Sequence, residues 1–285
     1  MSSLLIVYGS ETGTAEDIAE SLSREARLQN IPVRLLGFDG YDVDILPLEV
    51  MTIFVVATTG QGEFPPNMRG AWRRLLRKNL SVEWLSGARI AVLGLGDSSY
   101  QKYNFAGKKL FRRLLQLGAE AIIDLGLADD QHELGIDGAL IPWRKALWGA
   151  ISRLKLFETM NTGFDPTTPL PSKYRLIFDK EMFLMKDYDS RQDYEELTVS
   201  ANLRVTADNH FQDTRLIRFC TKKNPLFEYN PGDVLMIRPY NLEESIETVI
   251  TALQYNNDVL DSPFVLKSND PFIKPPLPWL IGGEQ

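Results

Sequence analysis

The chain has 285 residues, enough for one large domain or two medium ones, and 44% of them are hydrophobic, so a sizeable core can be buried. Thirty-one Lys and Arg against 38 Asp and Glu give a formal net charge of −7, which argues against nucleic-acid or anionic-membrane partners and fits either plain solubility or steering toward a basic surface. Cys220 is the single cysteine, which excludes an internal disulfide and a cysteine-rich metal site; no metal site is expected.

In chain order, residues 4–8 read as a buried strand. No secretory leader precedes it, and no apolar run approaches the roughly 20 residues of a membrane helix, so a cytoplasmic location is expected. Residues 15–29 read as a helix, with Ile18, Leu22 and Ala26 spaced four apart. Further strands are predicted at 33–38, 52–59, 89–95 and 121–127. Further helices are predicted after Pro65-Pro66, over 102–117, and from about 140 to 157. Strands that are apolar throughout and alternate with helices imply a parallel, doubly wound sheet covered on both faces. Ligands of such sheets bind beyond the carboxyl ends of the strands.

The loops at those ends have unusual composition. Ser10, Glu11, Thr12, Gly13, Thr14 and Ala15 lie between the first strand and a helix. Backbone N–H groups, three hydroxyls and the helix dipole suit a phosphate held by neutral donors, since the first Lys or Arg is Arg24. This is neither a Walker loop nor a dinucleotide fingerprint, and an ordinary helix cap is the lesser alternative. After the third strand, Ala57, Thr58, Thr59 and Gly60 lead into Gln61-Gly62-Glu63, where glycine lets backbone lie against a flat ligand or merely turn. After the fourth come Leu95, Gly96, Asp97, Ser98, Ser99, Tyr100, Gln101, Lys102, Tyr103 and Asn104, then Phe105. Aromatics there could stack on a ring or pack in the core, and Phe105 is assigned to the core. Asp129-Asp130-Gln131-His132 follows the fifth strand, and a solvated loop is the plainer account of its lone histidine.

Taken together, SETGTAED, ATTGQGEFP, LGLGDSSYQKYNFAGKKL and GLADDQHELG resemble the FMN domain of the diflavin reductases, the group that includes cytochrome P450 reductase and the nitric oxide synthase reductase domains. The resemblance covers residues 1–157 and implies a flavodoxin-like, five-stranded doubly wound sheet. It implies that Ser10 to Ala15 hold the FMN phosphate. Ala57 to Gly60 would line one side of the ring and Leu95 to Asn104 the other, with Tyr100 stacking. The Gly60 carbonyl would lie near flavin N5, at a peptide that flips in the family, and Asp130 would touch the flavin end of the site. Thr59 stands where several relatives carry an aromatic, so weaker stacking is expected on that face. Glu11, Glu63, Asp97, Asp129 and Asp130 place negative charge in these loops, which favours a reducing flavin.

Residues 158–172 are rich in Pro, Thr and Gly and read as a linker. Beyond it the pattern is strand-rich, with strands predicted at 173–179, 196–206, 214–221 and 233–239 and a helix near 242–255. Residues 173–285 resemble the start of a ferredoxin-reductase-like FAD module, without the family's later FAD motif or its glycine-rich NADPH motif. The stretch is therefore expected to be an incomplete module. The resemblance implies an NADPH-dependent oxidoreductase passing electrons through FAD and FMN to an iron–sulfur acceptor, anamorsin, in cytosolic iron–sulfur assembly. The alternative is a truncated FMN carrier or regulatory isoform without NADPH activity. A receiver domain of the same topology is disfavoured because Gly9-Ser10 and Thr58-Thr59 stand where its acidic residues belong. A quinone reductase is disfavoured by the linker and the strand-rich tail.

Overall fold

The structure is a computed structural model that describes residues 3–158, 160, 161, 163, 165, 168–178, 197–221, 229–235, 237, 241–254, 260, 262 and 264–270. The chain divides into two compact units, Met1–Pro171 and Ser172–Gln285.

In the first unit, strands β1 (Leu4–Gly9), β2 (Val33–Gly37), β3 (Met51–Ala57), β4 (Arg89–Gly96), β5 (Glu120–Ala121) and β6 (Gly126–Asp129) form one parallel sheet. The order is β2-β1-β3-β4-β5, with β6 also pairing β4. This is the doubly wound order whose ligand crevice opens where the winding reverses, between β1 and β3. Helices α1 (Thr14–Leu28), α2 (Arg69–Leu75), α3 (Phe105–Gln116) and α4 (Asp137–Leu154) cover the faces.

Successive side chains of a strand point to opposite faces, and each face here has its own core. Leu5, Val7, Phe54, Val56, Ile90 and Val92 pack under α2 and α3 with Ala71, Leu75, Leu110 and Leu114. Leu4, Ile6, Met51, Ile53, Val55, Ala91 and Leu93 pack under α1 and α4 with Ile18, Leu22, Leu147 and Ile151. A fully buried side chain of this kind contributes about 1.5–3 kcal/mol, so the strands are fixed on both sides.

Two predicted strands differ in detail. The third ends at Ala57 rather than Thr59, because Thr59 is drawn into a turn in which its N–H and the Glu63 N–H donate to each other's carbonyls at 3.0 and 2.8 Å. The fifth is split. Ala121 pairs with Ile90 and Gly126 with Leu93, so this strand spends two more residues than β4 between the same two rungs. The surplus leaves the ladder, as in a bulge. Gly126 resumes it because a Cβ there would stand 2.6 Å from Trp143 of α4.

The second unit holds antiparallel ladders of β7 (Tyr174–Phe178) with β10 (Phe264–Ser268) and of β8 (Leu197–Arg204) with β9 (Arg215–Thr221), together with helix α5 (Glu243–Leu253). The predicted strand at 233–239 is not found in the residues described there. Asn230 accepts from the Asp233 N–H at 3.0 Å in a turn, and Val234 and Leu235 follow exposed and without a ladder partner among the described residues. An apolar run forms a strand only when another strand takes its hydrogen bonds.

Candidate functional site

Helix α1 begins behind Gly13 with no side chain bonded across its first turn. Its leading N–H groups thus form a positive end open to an anion. The loop before it is braced twice. The Ser10 hydroxyl accepts from the Gly13 N–H at 3.0 Å, and the Ser10 N–H donates to Asn67 Oδ1 at 3.1 Å. Asn67 in turn donates to the Tyr8 carbonyl at 3.4 Å. The Tyr8 hydroxyl donates to Glu16 at 2.7 Å, and burial with that neighbouring carboxylate raises its pKa well above the usual phenol value.

The second loop is a tight turn. Gly60 and Gly62 have φ of +47° and +82°, and a Cβ on Gly62 would stand 2.6 Å from that of Lys102. A side chain is therefore excluded at Gly62 by conformation and by space. Thr58 ties the turn to the third loop, its N–H donating to the Leu95 carbonyl at 2.9 Å and its hydroxyl accepting from the Ala106 N–H at 3.3 Å.

The third loop is held by β6 and the segment after it. Tyr103 donates through its hydroxyl to the Leu127 carbonyl at 3.0 Å, and burial raises its pKa. Asn104, fully buried with φ +55°, donates through Nδ2 to the Ala128 carbonyl at 2.8 Å. The Asp130 N–H donates to the Gly96 carbonyl at 2.9 Å. The Asp129 carboxylate accepts from the N–H groups of Ser98 and Gln131 at 2.8 and 3.1 Å, and Asp97 accepts from the Ser99 N–H at 2.8 Å. The Ser98 and Ser99 bonds are the main reason that the Asp129 and Asp97 pKa values lie below the ordinary carboxylate value.

These loops enclose one open cleft of about 780 Å³ at the carboxyl ends of β1, β3 and β4. Of the residues singled out from sequence, Thr12 and Thr14 line it from the first loop, and Ala57, Thr58 and Gly60 from the second. Leu95, Gly96, Asp97, Ser99, Tyr100, Gln101, Lys102, Tyr103, Asn104 and Asp130 line it from the far side. Ser10, Glu11, Gly13, Ala15, Thr59 and Ser98 do not reach the lining. Ser10 and Gly13 build the helix entrance, Ala15 is core, and Thr59 closes the turn. Gln61, Gly62 and Ile136 complete the lining, and Asn67 and Asp129 position it. Gln61, Gly62 and Asp129 were visible within the motif segments. Ile136 and Asn67 carry no local signal, since tertiary packing alone brings them in. Tyr103 faces the cleft, while Phe105, assigned to the core, is half-buried beside the Lys109 ammonium, 5.5 Å from its ring centroid. His132 is exposed, and its Nδ1 accepts from the Leu134 N–H at 3.0 Å in a turn.

Residues 6–143 match the flavodoxin family. Proteins named NADPH-dependent diflavin oxidoreductase 1 are 40% identical in Danio rerio, over 94% of this chain and 46% of the relative, and 42% identical in Xenopus laevis, over 91% and 46%. The chain thus spans about half the length of these curated relatives. A solved Streptococcus pneumoniae flavodoxin is 25% identical with a TM-score of 0.44, covering 52% of this chain and 99% of its own. The likeness to the reductases runs far past the flavodoxin region into the second unit: over nine-tenths of its length the chain is similar to NADPH-dependent diflavin oxidoreductases, with a flavodoxin-like first unit.

Proposed function

We propose that the first unit binds FMN in the cleft and hands electrons from it to a protein acceptor. The observation that carries this reading is the convergence of three loops on one cleft. An uncapped helix N-terminus flanked by Thr12 and Thr14 stands in one of its walls, and the half-exposed ring of Tyr100 stands among the residues opposite. The first suits a phosphate without any cation, and the second suits one face of a flat ring. The glycine turn at Gly60 supplies backbone rather than side chain toward the ring.

When bound, FMN supplies one-electron chemistry that no side chain offers. The protein holds and tunes it. Asp97, Asp129 and Asp130 put negative charge by the cleft and oppose the build-up of negative charge on a ring there, which favours giving the electron away. The bonds from Leu127, Ala128 and Asp129 to the third loop fix that wall in place, so little rearrangement accompanies transfer.

The names of the relatives supply NADPH and two flavins. Beyond those names, the proposed route runs from NADPH through FAD to FMN in this unit and on to an iron–sulfur acceptor of the anamorsin type in the cytosol. Titrating the flavin-free chain with FMN tests the core of the reading, with quenching of flavin fluorescence at one equivalent expected and no quenching contradicting it. Adding NADPH to the FMN-loaded chain separates a reductase from a carrier. Bleaching of the flavin band without another reductase marks the former, and an unchanged band marks the latter.

A further inference from the structure

An acidic chain carries one strongly basic face. Between Phe64 and Ala119 the sequence has eleven Lys or Arg against two acidic residues, Glu83 and Asp97, although the chain as a whole carries −7. Nine of the eleven lie on α2, just beyond its end, or on α3: Arg69, Arg73, Arg74, Arg77 and Lys78, then Lys108, Lys109, Arg112 and Arg113.

The contacts make this a continuous surface. Arg113 of α3 donates to the carbonyls of Leu75 and Arg77 at 2.7 and 3.4 Å, which stitches the helix ends together. Lys109 stands 6.0 Å from the centroid of the Phe64 ring, which packs 4.4 Å from that of Trp72. The Phe64 carbonyl accepts from Arg69 at 3.3 Å. Lys102, packed against the Gly62 turn, carries the positive charge to the cleft itself.

Few of these charges are neutralised. Arg74 pairs with Asp42 and Asp44 at 3.0 and 2.7 Å, and Arg69 lies 3.6 Å from Glu63. Arg73, Arg77, Lys78, Lys102, Lys109 and Arg112 are exposed and have no carboxylate partner among the described residues. Crowding like charges costs stability and is of use when a partner of opposite sign covers them. Exposed Leu76 and Val82 and half-buried Trp72 and Trp84 lie along the same stretch, and mixed Arg, aromatic and aliphatic surface is the composition of docking sites.

We propose that the α2–α3 face docks an acidic segment of the electron-accepting protein, guiding it toward the mouth of the cleft. This rests on the reading of the cleft as an FMN site from which electrons leave. The acidic remainder of the chain repels such a partner elsewhere, so the asymmetry orients the encounter as well as attracting it. A protein segment fits better than nucleic acid or lipid because exposed Leu76 and Val82 and half-buried Trp72 and Trp84 are interspersed with the charges, as at protein interfaces.

The test uses the full FMN-loaded chain and the triple reversal R73E/R77E/R112E, all exposed positions outside the cleft, with R73Q/R77Q/R112Q as a milder companion. The probe is a short fluorescein-labelled peptide of Asp, Glu and Leu, read by anisotropy. Its Asn/Gln counterpart, oligo(dT) and phosphatidylserine vesicles are compared at the same ionic strength. Binding of the acidic peptide is expected to be lost in high salt and weakened about tenfold by the reversal, with the Gln variant between. In parallel, electron transfer from the photoreduced chain to cytochrome c, a basic carrier, is expected to rise about tenfold in the reversal. Equal binding of the neutral peptide, indifference to the reversal, an unchanged cytochrome c rate, or tighter binding of oligo(dT) or vesicles would each overturn the proposal. Flavin content on the same samples keeps the two readings apart. FMN retained with no peptide binding removes the docking face alone, and peptide binding by a chain that takes up no FMN removes the flavin site.

Discussion

At the residue scale the site depends on a few buried or bonded groups in its lining and behind it. Asn104 is fully buried in a left-handed conformation and holds the third loop to β6. Asn104→Ala forfeits that bond and strains the backbone, and a loss of about 2–3 kcal/mol in chemical denaturation is expected. Asp97 and Asp129 govern acid behaviour. Their pKa values are lowered by bonds to Ser99 and Ser98, so their contribution is fully present above the ordinary carboxylate value and is lost as pH falls through the lower folded value. FMN is therefore expected to leave in acid, below the ordinary carboxylate value, as read by recovery of free-flavin fluorescence. Asp129→Asn keeps an acceptor for the Ser98 N–H without a titrating group, and its release curve should be less steep in acid.

Glu25 has the opposite sign. Burial raises its pKa, against the opposing influence of the Trp148 indole N–H and of Arg144, which donates to it at 3.0 Å. Its charged form is thus held at a cost, and its contribution falls as pH rises through its folded value.

At the element scale, that carboxylate joins α1 to α4, two helices that share one core. Glu25→Ala removes the acceptor common to Trp148 and Arg144. A loss of about 2 kcal/mol is expected in thermal or urea unfolding, the partial exposure of Arg144 keeping it at the low end. Asn67→Ala works differently. It frees the Ser10 loop without touching either core, so FMN affinity should fall about tenfold while the unfolding midpoint stays nearly unchanged. Equal losses of affinity and stability would mean that Asn67 supports the fold rather than the helix entrance. The four helices of the first unit and most of its strands were legible in the sequence because hydrophobic period records burial. The split of β5 from β6 was not. Residues 121–127 form one nearly unbroken apolar run, and the two surplus residues show only in the register against β4. Asn67 was equally silent, a lone amide after two prolines that matters through a contact 57 residues away.

At the scale of the whole molecule, the sequence changes from helix-rich to strand-rich across the Pro- and Thr-rich residues 158–172, and the chain divides into its two compact units at Pro171. The residues between are less free than a Pro- and Thr-rich linker suggests. The Asn161 N–H donates to the Gln29 carbonyl at 2.8 Å, and the Pro171 carbonyl accepts from Arg24. In the second unit the sequence showed the apolar runs but not which would find partners, as Val234 and Leu235 illustrate. The visible spectrum of the purified chain, with released flavin identified and counted, tests the central claim most directly. FMN at about one per chain, bound as delivered or after reconstitution, is the expected result; a chain that holds no flavin after FMN is added, or takes FAD in its place, would contradict it.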